Sequence, residues 1–214
     1  MHVSKYKVLV FDFDGVMVDS VGIKGEAFCQ LYQEHGEGIE AEINRYHLEN
    51  GGIDRFKKIA YFETTLLGRS VSKADILDVA DKFSLLVKEK VSKSAEIPGS
   101  IEFLKYWYRK LPCYVNSATP TLELIDIINE RGWKSYFSGV YGSPRSKVDN
   151  IKQILFETNV QPEDILFFGD AAADLAAARK SGVNFCGITQ SSTPEFIAQM
   201  KKMNSVNDFT SLLN

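Results

Sequence analysis

The chain has 214 residues, of which 44% are hydrophobic and 25% are charged, and its formal net charge is -3. This length suits one domain, or a core domain with one insertion, and the apolar fraction is large enough for a substantial core. The slightly acidic balance argues against a nucleic-acid-binding protein, whose binding face should be strongly basic. No apolar run approaches the roughly 20 residues of a membrane span, so we expect no membrane association.

Cysteine usage points to a reducing compartment. The three cysteines, Cys29, Cys113 and Cys186, are widely spaced and form no Cys-x-x-Cys motif. This pattern predicts neither a disulfide framework nor a thiolate zinc site. Residues 1–7 are too polar for a signal peptide. We therefore expect a cytoplasmic protein.

The first predicted element is a buried strand, and a helical region follows it. Residues 6–12 form a nearly continuous apolar run, typical of a strand covered on both faces of a parallel sheet. The run ends at Asp12-Phe-Asp14-Gly15. Residues 20–93 then carry apolar residues at helical spacing, interrupted by glycines. This region predicts four helices and no strand, with a capping box between Ser72 and Asp75.

Strands and helices alternate after residue 97. The predicted strands cover residues 111–117, 139–141, 165–168 and 185–188, and the predicted helices cover residues 100–110, 121–131, 147–158, 174–181, 193–203 and 208–213. Such alternation predicts an α/β fold with a doubly wound, Rossmann-like parallel sheet, whose ligand lies at the carboxyl ends of the strands. We interpret residues 1–20 and 93–214 as this core, and residues 21–92 as an inserted all-helical domain.

Five polar side chains are predicted at one edge of the sheet. Asp12, Asp14, Ser117 and Asp170 follow or end strands, and Lys147 begins a helix after a strand. Clustered carboxylates repel one another, and a divalent cation relieves this repulsion. Ligands that are all oxygen favour Mg²⁺ over zinc. A cation, a lysine and a hydroxyl can stabilise a phosphoryl group while a carboxylate attacks phosphorus, so the set favours phosphoryl transfer.

These residues resemble the motifs of the haloacid-dehalogenase-like superfamily of hydrolases. In chain order the four motifs are Asp12-Phe-Asp14-Gly15-Val16, Ser117 within Val-Asn-Ser-Ala-Thr, Lys147 within Ser-Pro-Arg-Ser-Lys, and Gly169-Asp170-Ala-Ala-Ala-Asp174. Each motif alone is weak. Four motifs in the expected order, spread over nearly the whole chain, form a specific resemblance.

The resemblance implies a nucleophile, an acid–base group and a metal site. Asp12 corresponds to the nucleophile and to a metal ligand. Asp14 corresponds to the general acid/base, with its backbone carbonyl on the metal. Asp170 corresponds to the third protein ligand, and the expected cofactor is Mg²⁺.

The remaining motif residues correspond to groups around the phosphoryl oxygens. Ser117 and the adjacent Ala118 would bind phosphate together with Lys147. Asp174 would orient the loop or Lys147 from outside the ligand shell. Many relatives have Ser or Thr where this chain has Ala171, so one outer hydroxyl is expected to be missing.

The helical insertion resembles a cap that closes over the site, excludes water and contacts the leaving group. Residues 51–55, Gly-Gly-Ile-Asp-Arg, resemble a cap loop of beta-phosphoglucomutase-like and phosphoglycolate-phosphatase-like members. The resemblance implies that Arg55 binds an anionic part of the substrate. Lys24 is a second candidate for substrate binding. It lies where phosphoglucomutase-like relatives often have His, which counts against a mutase.

Each of these residues has a purely structural alternative. The alternatives are a strand-end turn for Asp12 and Asp14, a helix cap for Ser117 and Thr119, a surface lysine for Lys147, a helix N-terminal acid for Asp174, and an ordinary surface or salt-bridged arginine for Arg55. Solvated side chains are the simpler interpretation of Lys24, Lys57 and Lys88. The three histidines show no metal-ligand spacing and receive no role.

The leading functional hypothesis is a phosphatase for a small phosphorylated metabolite, such as a sugar phosphate or a phosphoglycolate-like compound, acting as a monomer or homodimer. The alternative is a phosphosugar mutase on the same scaffold. Dehalogenation is disfavoured because that branch does not need Asp14. A phospho-receiver is disfavoured because its phosphorylated Asp follows a later strand, and Ala171 leaves a non-catalytic binding protein open.

Overall fold

A parallel sheet forms the centre of the molecule, in a computed structural model that describes residues 2–213. Its strands are β1 (Val8–Phe11), β2 (Cys113–Pro120), β3 (Gly139–Ser143), β4 (Ile165–Gly169), β5 (Asn184–Ile188) and β6 (Ser205–Val206). Their order is β3-β2-β1-β4-β5-β6, and all neighbouring pairs are parallel. The predicted doubly wound α/β fold is therefore confirmed.

Helices connect and cover the strands. They are α1 (Val21–Tyr32), α2 (Glu37–Glu49), α3 (Arg55–Tyr61), α4 (Lys73–Ser92), α5 (Ser100–Trp107), α6 (Thr121–Glu130), α7 (Lys147–Thr158), α8 (Ala172–Ser181) and α9 (Pro194–Met200). Short 3-10 turns cover Val3–Lys5, Gln33–His35, Lys134–Tyr136, Pro162–Asp164 and Thr210–Leu212, and a π turn covers Phe62–Leu66. Residues 21–92 hold α1 to α4 and no strand, and the capping box of Ser72 and Asp75 is present.

The central strand β1 explains why the first apolar run is continuous. Leu9 and Phe11 face one buried cluster, while Val8 and Val10 face another on the opposite side of the sheet. The Phe11 ring stacks on that of Phe168, with 5.2 Å between ring centroids. Burying each such side chain stabilises the fold by about 1.5–3 kcal/mol. Both faces of β1 are therefore apolar, and Asp12 follows directly where the strand ends.

The C-terminal region differs from the prediction. The predicted helix over residues 193–203 ends at Met200, and the short strand β6 then pairs with β5, with Gly187 opposite Ser205. The predicted last helix is only a 3-10 turn over Thr210–Leu212. A two-residue edge strand is too short to show alternation in the sequence, so the pattern gave no sign of β6.

The helical segment 21–92 has an aromatic cluster of its own. The ring of Phe28 stacks on that of Phe83 at 4.1 Å and meets that of Phe62 edge-on at 5.3 Å between centroids. The segment also contacts the α/β part through α4 and α6, where the Lys88 ammonium lies 2.7 Å from the Asp126 carboxylate. The segment thus lies beside the edge of the sheet formed by the carboxyl ends of the strands.

The three cysteines are not paired with one another. Cys29, Cys113 and Cys186 are all free thiols. Among residues 2–213, no helix is both long enough and apolar enough to cross a bilayer.

Candidate active site

The carboxyl ends of three neighbouring strands bring the predicted residues together. Asp12 follows β1, and its backbone N–H donates to the Phe168 carbonyl of β4 at 2.9 Å. Asp170 follows β4 directly, whereas Ser117 lies within β2, which continues past the predicted end at Ser117 to Pro120. Asp12, Ser117 and Asp170 are all buried. The adjacent Ala118 lines the same cavity.

Lys147 lies between two carboxylates. Its ammonium donates to Asp12 Oδ2 at 2.8 Å and to Asp174 Oδ1 at 2.5 Å. The other oxygen of Asp174 accepts the Ala171 N–H at 3.2 Å. Burial alone would lower the pKa of Lys147, but the two carboxylates raise it above its ordinary value. The surface-lysine interpretation of Lys147 is therefore wrong, and Asp174 both orients Lys147 and holds the start of α8.

A separate hydrogen-bond network holds Asp14. Its Oδ2 accepts from Lys24 Nζ at 2.5 Å and from Thr119 Oγ1 at 3.0 Å, and its Oδ1 accepts from Ser20 Oγ at 2.5 Å. Burial favours the neutral acid, but Lys24 and the two hydroxyl donors lower the pKa of Asp14 to about 2. Asp14 is thus held as a carboxylate.

Two structural alternatives are wrong at this network. Lys24 is not solvated, since its side chain is 12% exposed and also donates to Thr119 Oγ1 at 2.8 Å. The hydroxyls of Ser117 and Thr119 do not cap the following helix, because α6 begins without a side-chain cap. Instead Ser117 Oγ accepts the Thr119 N–H at 3.2 Å, and the Thr119 hydroxyl faces Asp14.

Negative charge is in excess beside Lys147. Asp12, Asp170 and Asp174 each place a carboxylate oxygen within 4.8 Å of the others. Burial raises the pKa of Asp12 to about 7, and burial together with Asp12 raises the pKa of Asp170 well above its usual range. Buried carboxylates sharing one ammonium fit a hard divalent cation, since all the donors are oxygen.

Gly15 allows the loop after β1 to approach Asp170. Its φ is +74°, a conformation that favours glycine, and a Cβ there would lie 2.1 Å from Asp170 Oδ2. The Asp-x-Asp-Gly order thus has a steric reason in this structure. Any side chain at position 15 would displace the Asp170 carboxylate.

These groups open into a cavity of about 790 Å³ between the sheet edge and the helical segment. The sheet-edge wall includes Asp12, Asp14, Ser117, Thr119 and Asp170. The helical wall includes His47, Gly51, Gly52, Arg55 and Lys58, and residues 191–196 and 199 line a further part of the cavity. The two walls come from regions far apart in the sequence.

Arg55 is a buried ion-paired residue. Its guanidinium donates to both carboxylate oxygens of Glu123 in α6, at 2.8 and 2.6 Å, and to Ser84 Oγ at 2.6 Å. It also lies over the Phe83 ring at 4.7 Å. Arg55 therefore lines the cavity, and its charge is matched by a carboxylate from the α/β part. The structure agrees with a salt-bridged arginine and not with an ordinary surface one, and substrate binding by Arg55 stays a prediction.

His47 and Lys58 are functional candidates that the sequence did not reveal. The Lys58 ammonium lies 3.0 Å from His47 Nδ1 and 3.1 Å from the His47 carbonyl oxygen. His47 Nε2 lies 3.2 Å from the Val21 carbonyl oxygen, so Nε2 carries the hydrogen and Nδ1 accepts from Lys58. Burial lowers the pKa of His47 to about 3 and the pKa of Lys58 to about 7. The two residues lie on different helices, and no sequence spacing pairs them.

The turn after α2 lies directly on the start of α8. A Cβ added to Gly51 would be 3.1 Å from Ala171 Cβ. One added to Gly52 would be 3.0 Å from Ala173 Cβ and 3.5 Å from Lys147 Nζ. The small side chain at position 171, which departs from the usual motif, thus lies where the helical wall comes closest.

Comparison with known proteins agrees with this arrangement. The family model described as haloacid dehalogenase-like hydrolase matches residues 6–182. The chain is 23% identical over 209 residues to the validoxylamine A 7'-phosphate phosphatase of Streptomyces hygroscopicus subsp. limoneus, covering 91% of each chain. It is also 23% identical to the phosphoglycolate phosphatase of Psychrobacter arcticus, covering 97% of this chain and 94% of that one.

A solved structure, the beta-phosphoglucomutase from Clostridium difficile, has a TM-score of 0.77 at 19% identity and covers 97% of this chain and 93% of that chain. At this identity the likeness shows a shared fold.

Proposed function

This chain belongs to the haloacid dehalogenase-like hydrolase family, and we propose that it is a phosphatase that hydrolyses small phosphomonoesters through an aspartyl phosphate on Asp12. One observation carries the proposal: the Lys147 ammonium bridges Asp12 and Asp174 while the Asp170 carboxylate lies beside them. A carboxylate, an ammonium and a further carboxylate in one buried site can bind, orient and attack a phosphoryl group. The family relatives that are named phosphatases support the same class of reaction.

The donor set fits Mg²⁺ as the cofactor. Asp12 and Asp170 would supply carboxylate oxygens, and the backbone carbonyl of Asp14 is the expected third protein ligand. Asp174 is the less suitable ligand, because Asp12 and Asp170 line the cavity whereas Asp174 is fully buried. When bound, the cation supplies positive charge to the phosphoryl oxygens and favours the ionised form of Asp12.

Asp12 is the nucleophile in this mechanism. Its carboxylate oxygen attacks phosphorus as the bond from phosphorus to the leaving oxygen breaks. The Phe13 N–H donates to Asp12 Oδ1 at 2.6 Å and Lys147 to Oδ2, so the carboxylate is fixed in orientation before substrate arrives. The oxygens of the transferring group would accept hydrogen bonds from Lys147, Ser117 and the backbone beside Ala118.

Asp14 is the proton-transfer group. As an acid it gives a proton to the leaving alkoxide, and as a base it takes one from the water that attacks the aspartyl phosphate. The Lys24 contact keeps Asp14 ionised, which suits the second step. We propose that Lys24 also binds the substrate. When the Lys24 ammonium turns to a phosphate oxygen, Asp14 loses its closest positive charge and protonates more readily.

The test is phosphate release from a panel of sugar phosphates, phosphoglycolate, nucleotides and aryl phosphates. We expect release from at least one small phosphomonoester, loss of that activity with chelator and recovery with Mg²⁺. No release from any member, or release that chelator leaves unchanged, would contradict the proposal. Isomerisation of a sugar phosphate that is faster than phosphate release, in the presence of a bisphosphate activator, would favour the mutase alternative.

A further inference from the structure

The cavity carries one cation that no carboxylate neutralises. Three of the basic side chains that line it are paired: Lys24 with Asp14, Arg45 with Glu42 and Glu49, and Arg55 with Glu123. The fourth is Lys58, which forms no ion pair with any residue in the range 2–213. Lys58 is nevertheless only 3% exposed.

The surroundings of Lys58 hold its ammonium without compensating its charge. An ammonium has three donors, and two of them meet His47 Nδ1 and the His47 carbonyl oxygen. The third donor has no hydrogen-bond partner within the described chain, on a side chain that lines the cavity. His47 is neutral at neutral pH, since burial lowers its pKa to about 3. An unpaired buried charge is costly, so the site is completed when an anion enters.

We propose that Lys58 binds a second anionic group of the substrate, a carboxylate or a phosphate on the leaving-group side. The inference rests on the proposed phosphatase function and specifies its substrate class. The phosphoryl group that reacts is bound at the sheet-edge wall, and the leaving group then faces the helical wall that holds Lys58. A substrate with anions at both ends would contact both walls.

The electrostatic environment of Lys58 favours anion binding. Burial and then the Lys24 charge lower the pKa of Lys58 to about 7, with Lys147 acting in the same direction and Asp14 and Asp170 in the opposite one. A bound anion favours the protonated form, so binding at neutral pH is coupled to proton uptake.

Arg55 lies on the same helix three residues earlier, but both ends of its guanidinium already bind Glu123. Binding an anion through Arg55 would require breaking that pair, whereas Lys58 can bind one without such a rearrangement.

The experiment compares Lys58→Met with a matched control, Lys57→Met. Lys57 is the neighbouring lysine, but its side chain is 73% exposed and pairs only with Asp54. The readout is kcat/KM on two substrate pairs that differ in one anion: phosphoglycolate against 2-hydroxyethyl phosphate, and fructose 1,6-bisphosphate against fructose 6-phosphate.

For Lys58→Met we expect a loss of about 10- to 100-fold on the anionic member of at least one pair, the size of one charge-assisted hydrogen bond. We expect a change of less than about twofold on the member of that pair that lacks the second anion. Lys57→Met should be near wild type on all four substrates. The pair that responds distinguishes a carboxylate from a phosphate.

Equal losses on both members of each pair, or no loss on either, would overturn the inference while leaving the phosphatase proposal intact. Absence of phosphate release by the wild type would overturn both.

If Lys58→Met does not fold, the wild-type ratio of kcat/KM within a pair replaces it. This ratio should fall as pH rises through about 7 and Lys58 loses its proton. The charges of Lys24, Lys147, Asp14 and Asp170 act on both members of the pair, so their effects largely cancel in the ratio, and His47 stays neutral over this range. A ratio that stays constant from pH 6 to 9 would overturn the inference.

Discussion

The two walls of the cavity carry opposite imbalances of charge. The sheet-edge wall and the residues behind it bring four aspartates (Asp12, Asp14, Asp170 and Asp174) to the Lys147 ammonium, and Lys24 reaches Asp14 from α1. The helical wall brings Arg55 and Lys58, and within residues 2–213 the only carboxylate bonded to either is that of Glu123 in α6. We therefore expect each wall to bind a partner of opposite charge, a cation at the sheet edge and an anion at the helices.

This contrast separates chemistry from selectivity. In the proposed mechanism the carboxylates and Lys147 bind the reacting phosphoryl group, and strand ends and the start of α7 position them. The helical wall would contact the rest of the substrate. Changes to the sheet-edge wall should alter rate on every substrate, while changes to Lys58 should alter the ranking of substrates.

The strongest test of the sheet-edge wall is Asp12→Asn, for which we expect turnover to be abolished. An amide cannot form the aspartyl phosphate, while Lys147 keeps its bond to Asp174 and the fold is retained. Phosphate release measures the first effect and circular dichroism the second. Full activity, with deamidation excluded by mass spectrometry, would remove the nucleophile assignment.

Arg55→Ala tests the link between the walls. We expect the free energy of unfolding to fall by about 3–5 kcal/mol, because Glu123 would be left buried without its cation. Denaturant unfolding measures this, and Glu123→Gln with the double variant completes a cycle that isolates the coupling.

The same variant tests substrate binding by Arg55. If Arg55 binds an anion, Arg55→Ala should weaken activity on substrates with an anionic leaving group more than on an aryl phosphate, whose leaving group carries no other charged group. Equal losses on both kinds of substrate would make Arg55 purely structural.

Asp14→Asn should lower the rate by at least about 10²-fold, since an amide neither gives nor takes the catalytic proton. The loss should be smaller for an aryl phosphate with a good leaving group, because that group needs less protonation. Steady-state rates on an alkyl and an aryl phosphate provide the comparison. An unchanged rate on the alkyl phosphate would reject the acid–base role.

Metal binding gives the smallest expected effect. Mg²⁺ at about 100 times its Kd should stabilise the protein by about 2.7 kcal/mol at pH 8, and by less at pH 5. The raised pKa values of Asp12 and Asp170 mean that the metal-free folded state holds protons there more tightly than the unfolded state. Its stability therefore falls as pH rises through about 7, and the cation restores it.

Thermal melts with Mg²⁺ and with chelator measure this difference. A shift that is equal at both pH values would place the cation away from these carboxylates.

The sheet-edge residues were predictable because strands make them conspicuous. Asp12 and Asp170 interrupt runs that are otherwise apolar on both faces, and parallel topology sends such positions to one edge. Lys147 was predicted from its position at the start of a helix and from the order of the motifs. Its hydrogen bonds to Asp12 and Asp174 are seen in the structure.

The helical wall was not predictable in the same way. Amphipathic helices place polar residues at most outward positions, so Lys58 and Glu123 look like any solvated residues in the sequence. The contact of His47 with Lys58 depends on how α2 packs on α3. The solvated interpretation of Lys24 failed for a related reason: only the fold shows that α1 directs this side chain at Asp14.

The glycine pair at the turn after α2 sets how the two walls meet. Peptide groups of residues 51 and 52 rest against Ala171 and Ala173, and a Cβ added to either glycine would come within 3.0–3.1 Å of an alanine methyl group. A backbone turn cannot rotate aside as a side chain can, so a larger residue at position 171 or 173 would have to displace the whole turn. The small residues at the start of α8 thus set how closely the turn can approach it.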